Sequence, residues 1–121
     1  MDHIKHYIWQ VFNGLKHMHE KTIAHRDLKP ENILLSVPGH ISFDDSDPLS
    51  HEVKICDLGA AKVLSKQQLN TPYVVSRYYR APELILGSNQ YDCSIDIWSV
   101  GCILFELISR TPLFPGDAEG L

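Results

Sequence analysis

The sequence predicts a mainly α fold with one small β-hairpin, on three observations. An amphipathic repeat opens the chain, two short apolar runs flank a turn-rich stretch, and a long apolar run lies near the end.

Ile4, Tyr7, Ile8, Val11, Leu15 and Met18 recur at helical spacing and share one face of a helix over residues 2–21. Asp2 is placed to cap it, because a short side-chain oxygen can take an orphan amide of the first turn. Ile33-Leu34-Leu35 and Val53-Lys54-Ile55-Cys56 are the strands of the hairpin. The intervening SVPGHISFDDSDPLSHE, residues 36–52, is rich in Pro, Gly, Ser and Asp and reads as a surface insertion at the hairpin tip. Lengthening there is tolerated, since closure entropy grows slowly with loop length. Residues 57–83 show no period and read as a long ordered loop. A short helix follows Pro82, and a longer one covers 94–109. Within the latter, IDIWSVGCILFELI is apolar around its whole circumference, the pattern of a helix buried on all sides. At fourteen residues with Asp96 and Glu106 inside, it is too short and too charged for a membrane span.

The 121 residues suffice for one domain with a core. A formal net charge of −4, without clustered positive charge, argues against nucleic acid as a partner. Cys56, Cys93 and Cys102 are odd in number, far apart and without metal-ligand spacing, so reduced thiols and a cytoplasmic or nuclear location are expected. Asp2, His3 and Lys5 after Met1 form no basic-then-apolar leader, and neither a signal peptide nor a membrane partner is expected. The alternating Asp45 and Asp47 suggest a calcium loop, but the Gly and Glu that an EF-hand needs at its sixth and twelfth positions are missing. His17 and His19, two apart on a helix, point apart and make a poor metal pair.

Three triplets carry chemistry: His25-Arg26-Asp27 with Lys29 and Asn32 close behind, Asp57-Leu58-Gly59 directly after a strand, and Ala81-Pro82-Glu83. Alone, each is weak; Asp27 or Asp57 would be a solvated loop carboxylate and His25 a buried hydrogen-bonded ring. In this order and these contexts they resemble the eukaryotic protein kinases over nearly the whole chain. The fold is then part of the large, C-terminal lobe of a protein kinase-like α+β fold.

The resemblance implies ATP-dependent phosphorylation of protein Ser/Thr with Mg²⁺. Phosphoryl transfer demands positioning and cancellation of negative charge. By resemblance Asp27 is the catalytic base, Lys29 neutralises the γ-phosphate, and Asn32 and Asp57 supply oxygens to Mg²⁺, which prefers hard ligands. Lys29 is the Ser/Thr kinase form, Leu34 resembles the apolar floor beneath adenine, and Ser76 matches the hydroxyl bridging the catalytic Asp and Lys. His25, Glu83 and Asp96 are implied to be structural, Asp96 accepting bonds from the catalytic-loop backbone.

NTPYVVSRYYRAPE and RTPLFPGD resemble the group of cyclin-dependent, MAP and shaggy/glycogen synthase kinases, in which Arg80 remodels the pocket for the residue after the phosphorylated one. Within it, DLGAAK and SRYYRAPELILG favour the shaggy-like branch, with Tyr73 as activating phosphotyrosine. Arg26 and Lys62 would then form part of a phosphate pocket, though Lys62 also reads as a solvated lysine. Thr71-Pro72-Tyr73 has the MAP kinase form and implies dual phosphorylation, and an upstream kinase or a regulatory partner is expected.

Two departures matter. Leu58 replaces the family Phe, a loss of volume that costs about 1–3 kcal/mol and alters switching more than chemistry. No G-x-G-x-x-G loop and no V-A-I-K-like lysine occurs in the sequence. Residues 1–121 are thus expected to be a partial kinase domain, without the small lobe and the last helices, that alone binds ATP weakly or not at all, is inactive, and leaves its apolar last helix exposed. The rival expectation is a non-catalytic truncated kinase or pseudokinase acting as a binding module. Intact Asp27, Lys29, Asn32 and Asp57 argue against it.

Overall fold

The computed structural model describes residues 1–39 and 42–116. His40 and Ile41 of the 36–52 insertion, and Asp117 of the RTPLFPGD stretch with all that follows it, lie outside the described residues. The elements run α1 (Asp2–His19), β1 (Ile23–Ala24), β2 (Ile33–Ser36), β3 (Glu52–Ile55), β4 (Lys62–Val63), α2 (Pro82–Ile85) and α3 (Ser94–Ser109).

The repeat at the start of the chain forms α1, which buries Ile8, Val11 and Leu15, with Ile4 and Met18 packed at the margin. Its cap is Met1 and not Asp2, and it stops at His19, short of residue 21. Asp2 is already inside the first turn, where its carboxylate favours the positive end of the helix dipole without closing a side-chain cap.

The hairpin pairs β2 with β3 antiparallel, Ile33 opposite Ile55 and Leu35 opposite Val53. Ile33, Val53 and Ile55 pack against the core, while Leu34 and Lys54 face each other on the outer side. Helix and hairpin meet closely at Gly14: a Cβ there would stand 3.1 Å from Cδ1 of Ile55. A second ladder pairs β1, just after α1, with β4, inside the 57–83 stretch read as loop, and sets Ala24 opposite Lys62. Two-residue strands carry no period to detect.

One core joins these parts. Ile8, Val11 and Leu15 of α1 meet Leu28, then Val75, Tyr79, Ala81 and Leu84, then Ile95, Val100, Cys102 and Ile103 of α3. Tyr79 donates to Glu106 at 2.6 Å; burial first, and this carboxylate next, push its hydroxyl well above the ordinary tyrosine pKa. Helix α3 is buried on one side only. Ile97, Trp98, Phe105, Leu107 and Ile108 are exposed, with Trp98 stacked on Phe114 at 5.9 Å, so the helix is apolar all round but covered on one side, and the exposed patch expected for this chain is present. Among the described residues no helix is long and apolar enough to cross a membrane.

The insertion is more than a neutral loop. It returns to α1 through His51, which is buried and accepts from the Tyr7 hydroxyl at Nδ1 (2.6 Å), leaving Nε2–H to face Ser46 Oγ at 2.6 Å. Gln10 bridges the same junction, donating to the His51 carbonyl at 3.0 Å and accepting from the Val53 amide at 2.9 Å. Tyr7→Phe would leave a buried ring nitrogen unpaired, at a cost of about 1–3 kcal/mol. Urea denaturation of the chain measures it, and an unchanged midpoint would show that this clasp contributes nothing.

Candidate active site

The site is a set of loops hung from the core. Leu28 is fully buried between Asp27 and Lys29, anchoring the segment and leaving both charged neighbours part-exposed above it. Asp27 Oδ1 accepts from the Ser76 hydroxyl at 3.1 Å, and Oδ2 lies 3.8 Å from Lys29 Nζ. The Asn32 amide nitrogen donates to the Asp27 carbonyl at 2.8 Å. With its nitrogen committed there, Asn32 has its side-chain oxygen left as a donor atom for a cation.

Asp57 is brought alongside by the end of β3. The Cys56 amide donates to the Asn32 carbonyl at 2.9 Å, so the next residue sits beside Asn32. Asp57 takes a left-handed backbone (φ 58°), and its Oδ1 accepts from the Gly59 amide at 3.2 Å. Among the described residues no group of three His, Cys, Asp or Glu side chains could hold a metal. The oxygens of Asn32 and Asp57 nevertheless fit Mg²⁺, which commonly takes one or two protein oxygens and completes its shell with phosphate and water.

Two fully buried groups shape the loop. His25 accepts the Asp27 amide on Nδ1 (3.1 Å), which places the ring proton on Nε2, donated to the Cys56 carbonyl at 2.8 Å. This ring ties the strand end that carries Asp57 to the backbone of Asp27. Asp96 of α3 accepts from the amides of His25 (2.8 Å) and Arg26 (3.1 Å) and pairs with His19 Nε2 at 2.8 Å. Arg26 itself has a left-handed backbone (φ 69°), held by that carboxylate and by its own Nε bond to the Ala60 carbonyl at 2.7 Å.

The remaining residues fall into three places. Leu34, 54% exposed, lies on the outer face of the hairpin, and Leu58 is 60% exposed. Lys62 is brought towards Arg26 by the β1–β4 pairing, and its ammonium makes no bond among the described residues. Tyr73, 86% exposed, touches neither: its amide donates to Thr71 Oγ1 at 3.2 Å. Arg80 donates to the carbonyls of Val74 (3.0 Å) and Val75 (2.9 Å), holding Val75 at φ 66°, a strained conformation for a β-branched residue. The Glu83 side chain forms no bond to another described residue and lines a groove with Trp98, Cys102 and Phe114. A cleft of about 370 Å³ beside Ser76 is lined by Lys29, Glu31, Arg77, Tyr78 and Tyr79 among others.

Sequence reasoning missed His19 as the partner of Asp96, and Tyr91, whose hydroxyl meets Arg26. Neither belongs to a motif, and sequence separations of 77 and 65 residues leave no local signal.

The His25-Arg26-Asp27 loop tied to Asp96 of α3, a strand-end aspartate joined to it through His25, and a segment ending in Ala81-Pro82-Glu83 together define a class. The chain belongs to the protein kinase domain family, whose model matches residues 1–120. Among relatives it is similar to the mitogen-activated protein kinase homolog NTF6 of Nicotiana tabacum, at 48% identity over 95% of this chain and 28% of that protein. It is also similar to mitogen-activated protein kinases 10 and 6 of Arabidopsis thaliana, at 47% and 46% identity over 98% and 95% of this chain and 27% and 26% of theirs. The chain therefore spans about a quarter of the length of the curated relatives it matches. Their names give no support to the shaggy-like preference.

Proposed function

We propose that a full-length kinase carrying these residues transfers the γ-phosphoryl group of ATP to serine or threonine of protein substrates. The observation that carries this reading is the Asp27 carboxylate, flanked by Ser76 at 3.1 Å and Lys29 at 3.8 Å with Asn32 and Asp57 beside it. Asp27 orients the substrate hydroxyl and accepts its proton as the new P–O bond forms and the bond from the γ-phosphorus to the β–γ bridging oxygen breaks, with ADP as the leaving group. Lys29 sets a positive charge where charge develops on the transferred group. Asn32 and Asp57 would hold Mg²⁺, which would neutralise phosphate oxygens when bound. Ser76 fixes the carboxylate and lies at the mouth of the substrate cleft.

The branch best supported is the MAP kinase-like one. Its support is the names of the relatives, the Thr71-Pro72-Tyr73 sequence, and a path of hydrogen bonds from Arg26 through Tyr91 to the Thr71 carbonyl. In this reading an upstream kinase phosphorylates Thr71 and Tyr73, and Arg26 with Lys62 receives the phosphate on Thr71. Arg80 engages the Val75 carbonyl, so the residue after the phosphorylated one need not supply an N–H to it. Proline, which has none, suits that place.

Peptide competition tests both levels. Transfer to Ser-Pro is expected to exceed transfer to Ser-Ala, with no gain from a priming phosphoserine. Equal use of Ser-Pro and Ser-Ala would remove the Arg80 proposal. A strong dependence on priming would restore the shaggy-like branch.

A further inference from the structure

Tyr91 stands on the turn leading into α3, outside every motif discussed above. Its hydroxyl accepts from Arg26 Nη1 at 3.2 Å and donates to the Thr71 carbonyl at 2.7 Å. A phenol carries one proton and acceptor lone pairs, so both bonds form at once. The Tyr91 ring packs against the core, which fixes where the hydroxyl can be. One residue away the Asn70 amide donates to the Asn89 carbonyl at 2.8 Å, and Asn70 is buried. The segment before Thr71 is thus pinned at two points to residues 89–91, and one pin reaches the catalytic loop.

We propose that Tyr91 is a positioning residue, a neutral tie that holds Arg26 and the activation segment together while that segment carries no phosphate. What the tie serves rests on the kinase reading; the tie itself rests on the two bonds. Arg26 has a guanidinium with few fixed partners, and a neutral hydroxyl is a weaker acceptor for it than a phosphate oxygen. Phosphorylation of the segment therefore gives Arg26 a stronger partner and makes the tyrosine bond dispensable.

The test is Tyr91→Phe in the chain, which keeps the ring and removes only the hydroxyl. Amide hydrogen exchange is followed at Asn70 and Tyr73, and the Arg26 Nε resonance by NMR. Exchange at both amides is expected to rise about tenfold, the fold-change of a 1.4 kcal/mol bond, with a shift of the Arg26 signal and unchanged exchange in α1. With Thr71 phosphorylated, wild type and variant should exchange alike. Unchanged exchange at Asn70 and Tyr73, or an equal rise across α1, would overturn the tie; a difference that persists after phosphorylation would overturn its replacement by phosphate. These readouts need no nucleotide, so a protein that transferred no phosphate would leave the tie standing. An active kinase with unaltered exchange would sink the tie alone.

Discussion

Asp27→Asn, in a full-length kinase carrying these residues and on the proposed reading, is expected to lower the phosphotransfer rate constant by about 10²–10⁴-fold, the range for loss of a positioned general base. Asparagine keeps the shape, and its side-chain oxygen can still accept from Ser76 Oγ, now 3.1 Å from the carboxylate. It can neither take a proton at neutral pH nor balance the Lys29 ammonium 3.8 Å away. Binding of nucleotide should change little, because Asn32 and Asp57 keep their own oxygens. The loss therefore belongs in kcat, with KM for the peptide near its starting value. Steady-state kinetics on a Ser-Pro peptide, alongside a thermal midpoint to show an intact fold, reads it directly. A variant that kept near-full kcat would exclude Asp27 as the base and leave positioning by Lys29 as the main contribution.

The parts of this site that could be read from sequence are those whose chemistry is local. HRDLKPEN places Asp27, Lys29 and Asn32 within six residues, and their mutual contacts are short-range consequences of one loop. Asp57 was legible for a different reason: it follows a strand whose apolar run is itself readable, and the pairing of Ile33 with Ile55 carries it to Asn32. Arg80 and Ser76 were legible only through resemblance, since nothing in SRYYRAPE announces that Arg80 will hold the carbonyl of a left-handed valine. What escaped were generic residues joined across long separations. Tyr91, His19 and His51 each gain meaning from one partner far along the chain, and no periodicity marks such a pair. Helix α3 is a different case. Its apolar circumference was read correctly, but composition does not say which sides other described elements cover, and only Ile95, Asp96, Ser99, Val100, Cys102 and Ile103 are buried.

Asp96→Ala is expected to destabilise the chain by about 3–5 kcal/mol, the cost of breaking a buried ionic and hydrogen-bonded group by removing one side. The carboxylate is fully buried and satisfies three donors: the amides of His25 and Arg26 and the ring of His19. Its removal leaves two backbone N–H groups without a partner in the interior, each costing about 1–3 kcal/mol. Arg26 would also lose the bond that offsets its left-handed backbone. Against a typical domain stability of about 5–15 kcal/mol, the loss is a large fraction of the total. Asp96→Asn should cost less, since one oxygen can still accept, but its NH₂ must then face a donor. Urea denaturation measures both, and a wild-type midpoint for Asp96→Ala would show that the catalytic loop holds its shape without α3. The two aspartates are separated by what fails with them. Losing Asp27 should remove rate from a folded protein, whereas losing Asp96 should remove the fold of the loop and the rate together, because His25 and Arg26 are the residues that present Asp27.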